Sequence, residues 1–82
     1  MASALLAGEM NYLSIDEPDK PLRLRAKIRY QAAAAPALLT PLPDGRAEIR
    51  FDAPQRSITP GQAVVLYDDD LLLGGGTILS NC

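Results

Sequence analysis

Leu22-Arg23-Leu24-Arg25-Ala26-Lys27-Ile28-Arg29-Tyr30 decides the fold class, because apolar and basic residues alternate across it without a break. A period of two places Leu22, Leu24, Ala26, Ile28 and Tyr30 on one face of a strand and Arg23, Arg25, Lys27 and Arg29 on the other. A helix would scatter both sets around its circumference. Downstream, Arg46 to Asp52 repeats the pattern, with Ala47, Ile49 and Phe51 alternating with charged residues. An extended segment, Ala37 to Leu42, precedes it. Pro43-Asp44-Gly45 joins the two, and its Asp-Gly pair signals a tight turn, so the segments are expected to form a hairpin.

Further along, Ala53 to Gln62 carries Pro54 and a Pro60-Gly61 turn and reads as an irregular connection. Ala63-Val64-Val65-Leu66-Tyr67 is apolar on both faces, which predicts a central strand covered on each side. Asp68-Asp69-Asp70 turns it, and Leu71 to Leu79 returns as its hairpin partner. Gly74-Gly75-Gly76 inside that strand predicts a bulge or a sharply bent barrel corner. Upstream, Asn11 to Ile15 adds a short strand, and Asp16 to Pro21 is an acidic, proline-flanked link. The alanine run 32–35 is too short to nucleate a helix and reads as a loop. About six short antiparallel strands make this an all-β chain, expected to be a small closed antiparallel barrel. One domain fills residues 1–82, with 22–79 as barrel core and 1–21 as a lead-in from a preceding domain.

Composition excludes several function classes. At 82 residues the chain supports one small core, and 48% hydrophobic with 22% charged residues is the balance of a soluble domain. No apolar run is long enough for a bilayer-spanning helix, and the first residues lack the basic start of a secretory signal, so a cytoplasmic setting without membrane partners is expected. With no histidine and a single cysteine at Cys82, the sequence holds no His-dependent base, disulfide framework or zinc cluster. No catalytic, cofactor-binding or metal-ligating residue is expected. The net charge of −2 argues against a strong independent nucleic-acid binder. It conceals a segregation: residues 20–29 hold five of the eight basic residues, and residues 16–19 with 68–70 hold six of the ten acids.

The basic ladder Arg23, Arg25, Lys27 and Arg29 is the leading candidate site. Four cations on one strand face can follow several RNA phosphates, and arginines bond phosphate bidentately. The competing reading is a solvated face on which Glu48 and Asp52 neutralise these bases, and the acidic alternation of Arg46 to Asp52 favours it. Arg56, beside Gln55, is a further candidate for polar contact with RNA or a neighbouring domain, against the favoured reading of a plain exposed loop. Asp68 to Asp70 lacks the ligand spacing of a calcium loop and reads as a charged hairpin tip. No helix pattern follows Gly74 to Gly76, so these glycines do not make a phosphate loop. Tyr30 and Phe51 are in phase with core faces, whereas Tyr12 and Tyr67 fit either core packing or base stacking.

Three segments in this order resemble the C-terminal barrel domain of bacterial tRNA-specific 2-thiouridylases: Ala26 to Tyr30, Arg50 to Asp68, and Gly74 to Ile78. Leu6 to Ser14 resembles the stretch that leads into that domain. The resemblance implies a barrel similar to those of translation elongation factors. It also implies a parent that uses ATP and Mg to adenylate the wobble uridine of tRNA before a persulfide cysteine delivers sulfur. That chemistry belongs to an N-terminal domain with a Ser-Gly-Gly-x-Asp-Ser type loop and two cysteines. No such loop occurs in these residues, and Cys82 matches neither cysteine. The implied role is therefore noncatalytic: tRNA contact, or buttressing of the parent's other domains, or a protein-binding function of the translation-factor kind. The family continues after its tyrosine with arginine and glutamine, whereas Tyr30 is followed by Gln31 and alanines, which removes one basic side chain from that loop.

Overall fold

The computed structural model describes residues 2–28 and 33–81. Six strands account for most of them: β1 (Ala2–Tyr12), β2 (Leu22–Lys27), β3 (Ala35–Pro41), β4 (Ala47–Gln55), β5 (Ala63–Asp68) and β6 (Leu71–Asn81). Every pairing is antiparallel, and the order β1-β4-β3-β2-β5-β6 closes on itself through β6 and β1. Closure leaves no strand edge unpaired, the usual resolution for a small all-β chain. The all-β barrel expected from the alternation is what forms.

The alternation of β2 and β4 is obeyed residue by residue. Leu24, Ala26, Ala47, Ile49 and Phe51 are buried, while Arg23, Arg25, Arg50 and Asp52 are exposed. Register lines up Leu5, Ile49, Leu39 and Leu22 as one row across β1, β4, β3 and β2. With Val64, Leu66 and Ile78 from β5 and β6, this row fills the barrel. The β3–β4 turn matches its sequence signal. Gly45 has φ 89, its N–H bonds the Leu42 carbonyl at 3.2 Å, and the Asp44 carboxylate accepts from the Arg46 N–H at 3.1 Å.

Several expectations are corrected. The barrel is not confined to 22–79: β1 begins at Ala2 and contributes Leu5 and Ala7 to the core, where a short strand at Asn11 to Ile15 was expected. Its signal is faint because register shifts between Gly8 and Asn11, so the inward phase changes mid-strand. β4 continues through Pro54 to Gln55. Pro54 is tolerated because the β1–β4 register jumps between Ala2 and Ala4, leaving a stretch where no ladder donor is required. β5 is not covered on both faces, since Val65 and Tyr67 are only half-buried on the outside. The ladder expected to run to Tyr30 is strand from Leu22 to Lys27; Arg29 and Tyr30, like Cys82, lie outside the described residues.

The glycine expectation holds. The β5–β6 register shifts between Leu66 and Tyr67, opposite Gly74 and Leu72, and the β1–β6 register shifts opposite Gly75 to Thr77. β6 is pinched between its neighbours there: a Cβ on Gly74 would lie 2.1 Å from the Asn11 carbonyl oxygen, and one on Gly75 would lie 2.5 Å from that of Val64.

Candidate nucleic-acid interface

The outer face of β2 carries Arg23, Arg25 and Lys27 at alternate positions, so adjacent cations stand about 7 Å apart along the strand. Their surroundings differ. Arg23 makes a bidentate pair with Asp52, Nη1 to Oδ1 at 2.9 Å and Nη2 to Oδ2 at 2.6 Å. The pair reaches over β3, which separates β2 from β4. Both groups are exposed, so solvent screens the attraction and the pair adds little stability. The pair matches the charge of Arg23.

The pairing shifts both partners. The hydrogen bonds from Arg23 hold the Asp52 carboxyl below the ordinary carboxylate range, and the same bonds raise the Arg23 guanidinium. A carboxyl with a depressed folded value stabilises the fold above its unfolded value of about 3.9 and loses that contribution as pH falls through the folded one. The expected NMR titration of the Asp52 carboxyl carbon has a midpoint below that unfolded value, and Arg23→Gln returns it to the ordinary range. An unshifted midpoint in the wild-type chain would show that the pair does not persist in solution.

Arg25 and Lys27 are different. Among the described residues neither has a carboxylate within ion-pair distance. Glu48, expected to neutralise the ladder, instead faces Arg50 on its own strand at 3.6 Å. Of the two carboxylates expected to neutralise the ladder, Asp52 pairs with Arg23 and Glu48 faces Arg50 instead. Arg56 is exposed just past the end of β4, ahead of Ser57, whose φ is 58. Arg29 lies outside the described residues. The structure thus brings Arg25 and Lys27 together on one outer face and leaves Arg56 in a separate loop.

The aromatic residues separate as well. Phe51 is buried in the core, and Tyr12 packs against the core cluster. Tyr67 points outward from β5 in phase with Val65, directly opposite Arg25 in the β2–β5 register, with Lys27 one step along. A groove of about 230 Å³ beside it is lined by Lys27, Ala33, Ala34, Tyr67, Asp69 and Asp70. The pairing of Tyr67 with Arg25 was not foreseeable from the sequence, because a strand apolar on both faces does not reveal which side is outer. Asp68 to Asp70 form the exposed end of the β5–β6 hairpin. No three carboxylate, thiol or imidazole groups among the described residues converge as a metal ion requires.

No helix among the described residues is long and apolar enough to cross a membrane. The model of the aminomethyltransferase β-barrel domain matches residues 2–78, nearly the whole chain. A tRNA-specific 2-thiouridylase MnmA from Acetivibrio thermocellus is 51% identical over 74 residues, covering 90% of this chain and 21% of that protein. The enzymes of the same name from Pelotomaculum thermopropionicum and Microcystis aeruginosa are 49% and 45% identical, covering 94% and 95% of this chain and 21% and 22% of theirs. The chain spans about a fifth of the length of the curated relatives it matches, and the match falls in their C-terminal region. It belongs to the aminomethyltransferase β-barrel domain family, in the form that tRNA-specific 2-thiouridylases carry at their C-terminus.

Proposed function

We propose that this barrel is the noncatalytic C-terminal domain of a cytoplasmic tRNA 2-thiouridylase and helps bind or position tRNA while the ATP- and Mg-dependent chemistry proceeds in the rest of the parent. One observation carries the reading: Arg25 and Lys27 stand side by side on the outer face of β2 with no carboxylate partner among the described residues. Two adjacent uncompensated cations suit successive phosphates of an RNA backbone, and the arginine can grip one bidentately. Arg56 is a further candidate contact.

The test is tRNA binding at several salt concentrations by a full-length 2-thiouridylase carrying this barrel, with Arg25→Gln and Lys27→Gln combined. Losing two phosphate contacts weakens binding of all tRNAs alike and reduces the slope of log affinity against log salt by about two. Unchanged affinity and slope would overturn the reading.

A second reading, a structural interdomain module, is favoured by a different observation. Leu13, Leu71 and Leu72 are all exposed, and the bonds from the Leu13 N–H to the Leu73 carbonyl at 2.7 Å and from Ser14 Oγ to the Leu72 carbonyl at 2.6 Å hold their segments together. On that reading the same salt series shows no dependence on Arg25 or Lys27.

A further inference from the structure

We propose that Tyr67 is a stacking platform for one unpaired nucleotide of RNA, with the base lying on its ring and the adjoining phosphate held by Arg25 and Lys27; this rests on the phosphate-contact reading given above. The ring stands on the outer surface of a closed barrel, on the strand next to the uncompensated cations. Directly opposite residues in neighbouring strands place their Cβ atoms about 5 Å apart, and diagonal ones remain within reach of long side chains, so one nucleotide can touch the ring and both cations.

Tyr67 is not accounted for by packing. Tyr12 is among the partly buried residues that lean on the core cluster, and Tyr67 is not. Among the described residues its hydroxyl makes no hydrogen bond to the protein. The groove beside the ring has small apolar walls at Ala33 and Ala34, which admit a flat base edge-on. Asp69 and Asp70 line the same groove as Lys27 and repel phosphate, which favours the Arg25 side of the ring for the backbone.

The geometry also selects the kind of RNA. A duplex keeps its bases stacked on one another, and the deep, narrow major groove of A-form RNA does not admit the convex face of a barrel. Stacking on this outward-facing, half-buried ring therefore requires a base splayed from a loop, bulge or end. Such stacking tolerates any base, because every base has a π-face.

The test uses the 82-residue chain, with a short single-stranded RNA and a blunt duplex of the same sequence as probes. In the wild-type chain the single strand is expected to shift the Tyr67 ring resonances and the duplex to leave them in place; this readout needs no variant to fold. Tyr67→Leu is expected to weaken single-strand binding about ten-fold with the salt slope unchanged, whereas Tyr67→Phe, which keeps the ring, stays within about two-fold of wild type. Wild-type affinity in Tyr67→Leu, alongside weakened binding in the Arg25→Gln, Lys27→Gln chain, would overturn the platform and leave the phosphate reading standing. Equal losses in Tyr67→Leu and Tyr67→Phe, or identical ring shifts with duplex and single strand, would also overturn it. Absence of salt-linked binding to either RNA, both by this chain and by a full-length 2-thiouridylase carrying it, would overturn both.

Discussion

Gly74→Ala is expected to lower the stability of the barrel by about 2–6 kcal/mol. Two effects combine at this position. Gly74 has φ 152, in the region that side-chain-bearing residues rarely adopt, and forcing alanine there costs about 1–3 kcal/mol. The new methyl would also sit 2.1 Å from the Asn11 carbonyl oxygen and 3.0 Å from the Tyr12 Cα. Those are backbone atoms of β1, so no side chain can rotate away and the β1–β6 ladder itself must shift, which adds about 1–3 kcal/mol. An 82-residue domain has about 4–12 kcal/mol of stability in all, so the change removes a large share of it. The corresponding fall in melting temperature is about 10–45 °C. Gly45→Ala is the control. Gly45 also has positive φ, 89, but a Cβ there meets nothing within 4 Å, so only the conformational cost of about 1–2 kcal/mol applies. Equal melting temperatures for the two variants would show that the pinch between β1 and β6 is not a steric constraint.

The contrast between these glycines shows what the sequence could and could not reveal. Gly45 follows an aspartate between two alternating segments, and that local pattern specifies a tight turn without knowledge of any partner strand. Three successive glycines in a strand imply a bulge for a similar reason, since nothing else explains the loss of side chains. Which backbones press on them depends on closure of the barrel, and closure is a property of six strands together. β1 is the clearest instance of this difficulty. Its inward residues are mostly small, and the irregularity around Glu9, whose φ is 50, resets the alternation, so a reading based on period two finds only its tail. The site follows the same rule. That Arg23, Arg25 and Lys27 share one face was legible from spacing alone. That Asp52 reaches over β3 to take Arg23, while Glu48 turns to Arg50, depends on strand order and side-chain reach. The position of Tyr67 opposite Arg25 needed the β2–β5 pairing, which joins segments some forty residues apart in the chain.

Ile49→Ala is expected to cost about 3–5 kcal/mol, toward the upper end for truncation of a buried aliphatic residue. Ile49 is fully buried, and register places it between two other fully buried residues, Leu5 on β1 and Leu39 on β3. The size of such a penalty depends on how far the surroundings can collapse into the space left behind. Here they cannot collapse far: β4 is hydrogen-bonded on both sides, to β1 and to β3, and each of those strands is held in turn by its other neighbour around the closed barrel. Moving Leu5 or Leu39 inward would mean moving a ladder, so most of the cavity persists. Ile49→Val, which removes a single methylene, should cost only about 1 kcal/mol. Arg50→Ala, one residue along but on the outer face, should change stability by no more than about 0.5 kcal/mol, because its only ion pair among the described residues is the exposed 3.6 Å contact with Glu48. Urea unfolding of the three variants checks the order: midpoints should fall sharply, slightly and hardly at all, with the denaturant slope unchanged. A loss in Arg50→Ala comparable to that in Ile49→Ala would mean that the outer face of β4 is packed rather than solvated, and the division of this strand into a core face and a charged face would fail with it.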